Sequence, residues 1–230
     1  MPEPITILKG VGGSTAHGLS TPDSDVDMLG VFAYPTESFW ELQRPQESIV
    51  TTEPDYASHE LEKFLRLAMS GNPTMLEMLY LDEYVEKEEY WGNRLIFLRT
   101  HIVSAEAVRK SYIGYAYSQL QKAARHLETI DQGQPIRRSS SRKNIRHLFR
   151  LMEQGFDLYT KGRFYIRVKN PAEYAAIEDM TMVEIEQKFS KLRERFYSAT
   201  TCLPESPDYK FIGDYLRDYR RQHIMEKIQW

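Results

Sequence analysis

The sequence predicts an α+β protein, a small α/β module at the N-terminus followed by a helical C-terminal region. Three observations predict it. Residues 1–55 are rich in Gly, Pro, Ser, Thr and β-branched residues, with short strand candidates among them. Beyond about residue 57 the apolar period becomes helical. Between the first two strand candidates lies a glycine-rich turn, Gly10-Val11-Gly12-Gly13-Ser14, free to adopt positive φ.

The strand candidates are Ile5-Thr6-Ile7-Leu8, Val26 to Ala33, and Glu47 to Thr52. Leu61, Phe64, Leu65, Ala68 and Met69 then follow at i, i+3, i+4, i+7 and i+8, one face of a helix. Asn72 before Pro73 reads as an N-cap and first-turn proline opening a second helix through Glu77 and Leu79. A longer helix is expected over Ala105 to Leu127, burying Val108, Tyr112, Ala116, Leu120, Ala123 and Leu127. Further helices fit 143–160, 181–199 and 208–228, with a proline-bearing loop over Ser198 to Pro207. Asp131 to Arg142 is polar, flexible and basic and reads as a linker between two helices.

With 230 residues, 41% hydrophobic and 27% charged, the composition excludes collagen-like, coiled-coil and largely disordered chains. The net charge of −3 leaves no basic field over the whole protein, so any nucleic-acid contact must come from a local patch. The single cysteine, Cys202, excludes an internal disulfide and a multi-cysteine metal site. No apolar run approaches the ~20 residues of a membrane span. The opening Met1-Pro2-Glu3-Pro4 lacks the basic and apolar regions of a secretory signal, so a soluble cytoplasmic protein with no membrane partner is expected.

The chemistry concentrates in residues 12–30. Asp25 and Asp27 stand two apart on the second strand candidate. There both side chains leave one face, with Cα atoms ~6.6 Å apart, and Val26 points the other way into the core. Two such carboxylates can converge on divalent ions, and magnesium takes one or two carboxylates together with phosphate oxygens. Gly13 allows close backbone approach to a phosphate, to which the next N–H groups and the Ser14 hydroxyl can donate. Against this stands plain turn chemistry, for which Pro22-Asp23-Ser24-Asp25 is well suited. Glu77 reads first as complementing its helix dipole, with a role beside the site as the other reading. His17 lies inside the loop, within reach of a phosphate or in a structural role.

Arg137, Arg138, Arg142, Lys143, Arg146 and Arg150 form the densest basic stretch. Lys143, Arg146, His147 and Arg150 share a helix face that can hold a triphosphate or RNA backbone, or can simply be a solvated surface. Tyr112, Tyr115 and Tyr117 fall at helical spacing and are expected as core or rim rather than base-stacking platforms.

Gly-Ser, a downstream Gly18 and Ser-Asp-x-Asp resemble the signature of the DNA polymerase beta-like nucleotidyltransferases. The likeness extends through Met28-Leu29-Gly30-Val31-Phe32, Asp55 ahead of Glu60-Leu61-Glu62-Lys63-Phe64-Leu65, and Gly71-Asn72-Pro73-Thr74 with Glu77. Lys143, His147-Leu148, Arg150-Leu151, Gly155 and Thr201-Cys202-Leu203-Pro204 continue it, and together they resemble the RNA-repair-associated RlaP/YcgL branch. Thr15 and His17 depart from it, standing where related sequences often carry Arg and Tyr.

The resemblance implies a small mixed sheet with flanking helices over residues 1–100 and a helical domain over 101–230 packed on it. It implies magnesium-dependent transfer of a nucleoside monophosphate from a nucleoside triphosphate to an acceptor hydroxyl. The acceptor it suggests is an RNA end. Manganese would be able to substitute. Asp25 and Asp27 would be metal ligands, with Asp55 as the third carboxylate and Glu53 as its alternative. Gly13 and Ser14 would contact phosphates, with Lys143, His147 and Arg150 adding positive charge. The alternatives left open are an inactive nucleotide- or RNA-binding module, a transferase acting on a protein hydroxyl, and a metal-dependent phosphohydrolase. Oligomeric state and base preference are not set by the sequence.

Overall fold

The computed structural model describes residues 2–21, 24–128, 136–177 and 180–224, and omits the side chains of 126–128, 136–139 and 175. The chain divides into two compact units. Unit 1 comprises Met1–Ser70, Thr74–Val103 and Ser206–Trp230; unit 2 comprises Gly71–Pro73 and Ser104–Glu205. The last helix belongs to the first unit, where its apolar face is buried.

Unit 1 is built on a five-stranded mixed sheet of order β3-β4-β2-β1-β5. β1 (Ile5–Val11) and β2 (Met28–Ala33) are antiparallel, and β4 (Asp55–Glu60) runs parallel to β2. The edges are β3 (Ser48–Thr52) and the two-residue β5 (Glu86–Lys87), each antiparallel to its neighbour. β2 is a nearly continuous apolar run, and it and the centre of β1 are covered. Ile7, Leu8, Val31, Phe32 and Ala33 are buried.

The covering helices each contribute an apolar face. α2 (Leu61–Met69) buries Leu61, Phe64, Leu65 and Ala68, as the spacing predicts. α3 (Pro73–Leu79) is apolar nearly all round, and Met75, Leu76, Met78 and Leu79 are buried. α4 (Glu89–Phe97) buries Trp91 and Leu95, while α9 (Tyr209–Gln222) buries Ile212, Tyr215 and Tyr219. The Tyr215 hydroxyl donates to the Trp91 carbonyl at 3.0 Å. Arg220 of α9 pairs with the buried Glu60 at 2.6 Å. Burial raises the Glu60 carboxyl above its ordinary value even though Arg220 opposes the shift.

β4 differs from the sequence reading, in which Asp55 lay past the last strand and a helical pattern took over near residue 57. Tyr56-Ala57-Ser58-His59-Glu60 carries little strand propensity. Pairing on both sides, to β2 and to β3, holds it extended.

Unit 2 is helical. α5 (Ala105–Glu128) and α6 (Ile136–Lys161) run antiparallel, Ser141 bonding back to the Ala123 carbonyl at 3.3 Å. Gly155 makes room for the fully buried Tyr112, since a Cβ there would sit 2.6 Å from the tyrosine's own Cβ. Of the residues expected on the buried face of α5, Val108, Tyr112, Ala116, Leu120 and Ala123 are buried, and the Leu127 side chain lies outside those described. α6 begins at Ile136, so residues 136–142 of the expected linker are helical; its first part, 131–135, lies outside the described residues. α7 (Pro171–Ile177) and α8 (Met182–Ser198) complete the unit. α8 opens on a Thr181/Glu184 capping box. Among the described residues no helix is long and apolar enough to cross a membrane.

Candidate active site

The turn after β1 brings the motif together. Gly13 takes φ +60°, a left-handed conformation that L side chains rarely adopt. Gly13 to His17 form one short helical stretch, α1, which Gly18 ends at φ 69°. The Gly12 N–H donates to the Asp27 carbonyl at 2.9 Å, carrying the β1–β2 ladder one step past Met28. The Asp27 carboxylate lies directly on Gly13: a Cβ on that glycine would sit 2.6 Å from the Asp27 Cγ. Only glycine fits there.

Residues outside the acidic motif hold the turn. The Gly13 N–H donates to Glu77 Oε1 at 3.0 Å, and Glu77 Oε2 lies 3.1 Å from His17 Nε2. Both side chains are buried, at 2% and 6% exposure, so α3 pins the turn through one carboxylate. Sequence reasoning left Glu77 and His17 undecided. The available signal was Glu77 as the one charge in the run Met75-Leu76-Glu77-Met78-Leu79, since a carboxylate in an apolar run is buried with partners. The Gly13 N–H is thus spent on Glu77. The Ser14 hydroxyl and the N–H groups of Ser14 and Thr15 have no partner among the described residues.

β2 begins at Met28, so Asp25 and Asp27 precede the strand rather than share its face. Val26, expected in the core, is 53% exposed, because the chain from Ser24 to Asp27 is irregular and lacks the strand's alternation. Asp25 is exposed and Asp27 half-buried. Asp55 is exposed at the first position of β4. Its neighbour Tyr56 is in register with Met28, so Asp55 and Asp27 each directly precede the first pair of the parallel β2–β4 ladder. Glu53 lies in the β3–β4 turn, exposed.

Among the described residues no three His, Cys, Asp or Glu side chains form a cluster able to hold a metal ion by themselves. Two carboxylates suit magnesium, which draws its remaining ligands from water and substrate phosphates rather than from an all-protein cage. The donor set therefore fits a hard divalent cation arriving with a nucleotide.

Lys143, His147 and Arg150 belong to α6 of unit 2. Lys143 is exposed, His147 half-buried and Arg150 buried. Arg150 donates to Gln154 Oε1 at 2.7 Å, and Gln154 donates to the Tyr165 carbonyl at 2.9 Å. Cys202 is exposed, in the segment where Thr201 Oγ1 donates to the Tyr159 carbonyl at 2.7 Å.

Unit 1 is thus a small mixed sheet with flanking helices that carries a Gly-Ser turn with the Asp27 carboxylate against it. The chain belongs to the RlaP family, the RNA repair pathway DNA polymerase beta family, which it matches over residues 4–200. It is 32% identical over 130 residues to the Bacillus subtilis (strain 168) protein called "Uncharacterized protein YcgL", covering 54% of this chain and 46% of that one. It is 29% identical over 135 residues to the "Uncharacterized 38.9 kDa protein in nrdC-mobD intergenic region" of Enterobacteria phage T4, covering 51% of this chain and 38% of that one. The chain thus spans less than half the length of these curated relatives. A nucleotidyltransferase-like protein from Exiguobacterium sibiricum 255-15 aligns over 96% of this chain and 75% of its own, with 12% identity and a TM-score of 0.33.

Proposed function

We propose that the protein is a magnesium-dependent nucleotidyltransferase that moves a nucleoside monophosphate from a nucleoside triphosphate onto the hydroxyl of an RNA end. The observation that carries this reading is the contact of the Asp27 carboxylate with Gly13, which sets one carboxylate of the Asp25/Asp27 motif against a turn with unspent donors. Family membership supports the reaction class, and the family's RNA-repair description supports the acceptor.

In this reading Asp25 and Asp27 hold the divalent cation, for which manganese can substitute. The bound ion would neutralise triphosphate charge and stabilise the oxygens of an in-line displacement. Ser14, through its hydroxyl and N–H, and the Thr15 N–H donate to phosphate oxygens, while Gly13 keeps the approach clear of a side chain. Asp55, at the first position of β4, takes the proton from the acceptor hydroxyl. The acceptor oxygen bonds to the α-phosphorus, the bond from that phosphorus to the bridging oxygen breaks, and pyrophosphate leaves. Glu77 and His17 position the turn and touch no substrate. The reading rests on unit 1; Lys143, His147 and Arg150 belong to unit 2.

The test is incubation of the protein with each α-phosphate-labelled nucleoside triphosphate, magnesium and total RNA. Label entering RNA, and lost in Asp25→Ala/Asp27→Ala, is the expected result. Label entering protein extract instead would move the acceptor to a protein hydroxyl. Nucleotide release without a labelled acceptor would make it a phosphohydrolase. Nucleotide binding without turnover would make it a binding module.

A further inference from the structure

Unit 2 carries a second feature with the makings of a binding site. A groove of about 500 Å³ lies between α5 and α8. Its α8 wall is Phe189, Arg193 and Tyr197, one helical stripe at i, i+4 and i+8. Its α5 wall includes Arg109, Lys110 and Tyr117. None of the three cations has an ion-pair partner among the described residues, in a chain whose net charge is −3.

Aromatic rings stand at both ends of the groove. The Tyr117 ring packs on Phe189 with centroids 6.3 Å apart and an interplanar angle of 26°. It is 47% exposed, so the rim reading of this residue holds and its outer surface is open. Tyr197, 60% exposed, stands at the other end with the Arg109 guanidinium 5.6 Å from its ring centroid. The Arg193 guanidinium lies 5.9 Å from the Phe189 centroid, between them. Residues 109 to 117 span ~12 Å of helix, room for about three stacked nucleotides at ~3.4 Å each.

The groove floor is bare backbone. Gly114 sits mid-helix, where glycine weakens the helix, and a Cβ on it would meet nothing within 4 Å. Among the described residues no neighbour accounts for the missing side chain, and its absence leaves this position open to close approach.

We propose that this groove binds single-stranded RNA. Bases stack on Tyr117 and Tyr197, and Arg109, Lys110 and Arg193 pair with phosphates. Unpaired cations interleaved with exposed rings are what single strands need, since each base offers a π-face and each link a charge. Glu106, the one carboxylate in the lining, supplies an acceptor for a 2′-hydroxyl, the donor that separates RNA from DNA. The site is independent of nucleotidyl transfer, and an inert binding module would use it equally.

The test is fluorescence anisotropy of a short labelled oligo(U) with the full chain. Nucleotidyl transfer is assayed on the same samples, so that failure of catalysis and failure of the groove are read separately. Tyr197→Ala should weaken binding at least about five-fold. Arg109→Ala/Arg193→Ala should lower the salt-dependence slope by about 1.4. Gly114→Leu fills the floor while favouring the helix, so binding should fall with no loss of thermal stability. Oligo(dU) and duplex RNA should bind more weakly. Unchanged affinity in the groove variants overturns the proposal and leaves the groove to a protein partner. Equal affinity for oligo(dU) overturns the assignment to RNA.

Discussion

The glycine turn of unit 1 and the basic stretch of α6 in unit 2 were both legible in the sequence as candidate places for gripping a nucleotide, and the fold treats them differently. At the turn the chemistry is backbone geometry. Gly13 and Gly18 hold positive φ, and Asp27 lies against the first of them. On α6 the chemistry would be side-chain charge, yet Arg142, Arg146, His147 and Arg150 each already have a partner. Three cations without ion-pair partners among the described residues, Arg109, Lys110 and Arg193, lie instead on α5 and α8. A glycine motif carries its conformation locally, whereas the availability of a charge depends on what the fold places beside it.

This contrast can be broken at several points. The largest effect is expected at the acidic pair. Asp27→Asn should lower label transfer on the order of 10³-fold. The half-buried position keeps the folded state intact, and the unfolding midpoint checks that. Gly13→Ala comes next, because the new Cβ meets the Asp27 carboxylate at a positive φ. Urea unfolding should show a loss of about 1–3 kcal/mol together with loss of transfer. Glu77→Ala leaves the Gly13 N–H and the His17 ring without their carboxylate. A loss of about 1–3 kcal/mol is expected, with a raised KM for the triphosphate, and Glu77→Gln should restore part of it.

On α6 the effects should fall on stability rather than transfer. Arg150→Ala removes a buried charged donor to Gln154 and should cost about 1.5–3 kcal/mol, while Lys143→Ala should stay within about 0.5 kcal/mol. If Lys143→Ala abolished transfer with folding intact, the contrast would be wrong.

The smallest effects concern pH, and the two units should respond with opposite sign. Burial pushes Asp157 of α6 up, but Lys161 and Lys169 outweigh it and hold the carboxyl below its ordinary 3.8. Its stabilisation is therefore complete above that value and lost as pH falls through the folded pKa. Burial holds Glu60 above its ordinary 4.5, so its contribution is present below that value and lost as pH rises through the folded pKa. Hydrogen exchange followed unit by unit against pH, with Asp157→Asn and Glu60→Gln, should remove each slope separately.

Much of the fold could be read from period alone. The buried faces of α2 and α5 and the proline opening of α3 are local features. β4 was not legible, because its residues lack strand propensity and neighbouring strands impose its extended form. The first turns of α6 were hidden by Ser139-Ser140-Ser141, poor helix formers that look like a linker. At the site, Gly13, Ser14, Asp25 and Asp27 were visible as a motif. The Glu77–His17 contact was not, since it joins residues 60 apart in sequence. The expected strand face for Asp25 and Asp27 failed because the regular ladder starts after them.

The central claim is that Asp25 and Asp27, beside the Gly13 turn, complete a cation site only when a triphosphate supplies the remaining oxygens. Manganese binding followed by electron paramagnetic resonance, with and without each non-hydrolysable nucleoside triphosphate, tests it most directly. The account predicts weak manganese binding by the protein alone and binding beyond that of free nucleotide when one triphosphate is present, abolished in Asp25→Ala/Asp27→Ala. The same nucleotide-dependent binding in that double variant would contradict it.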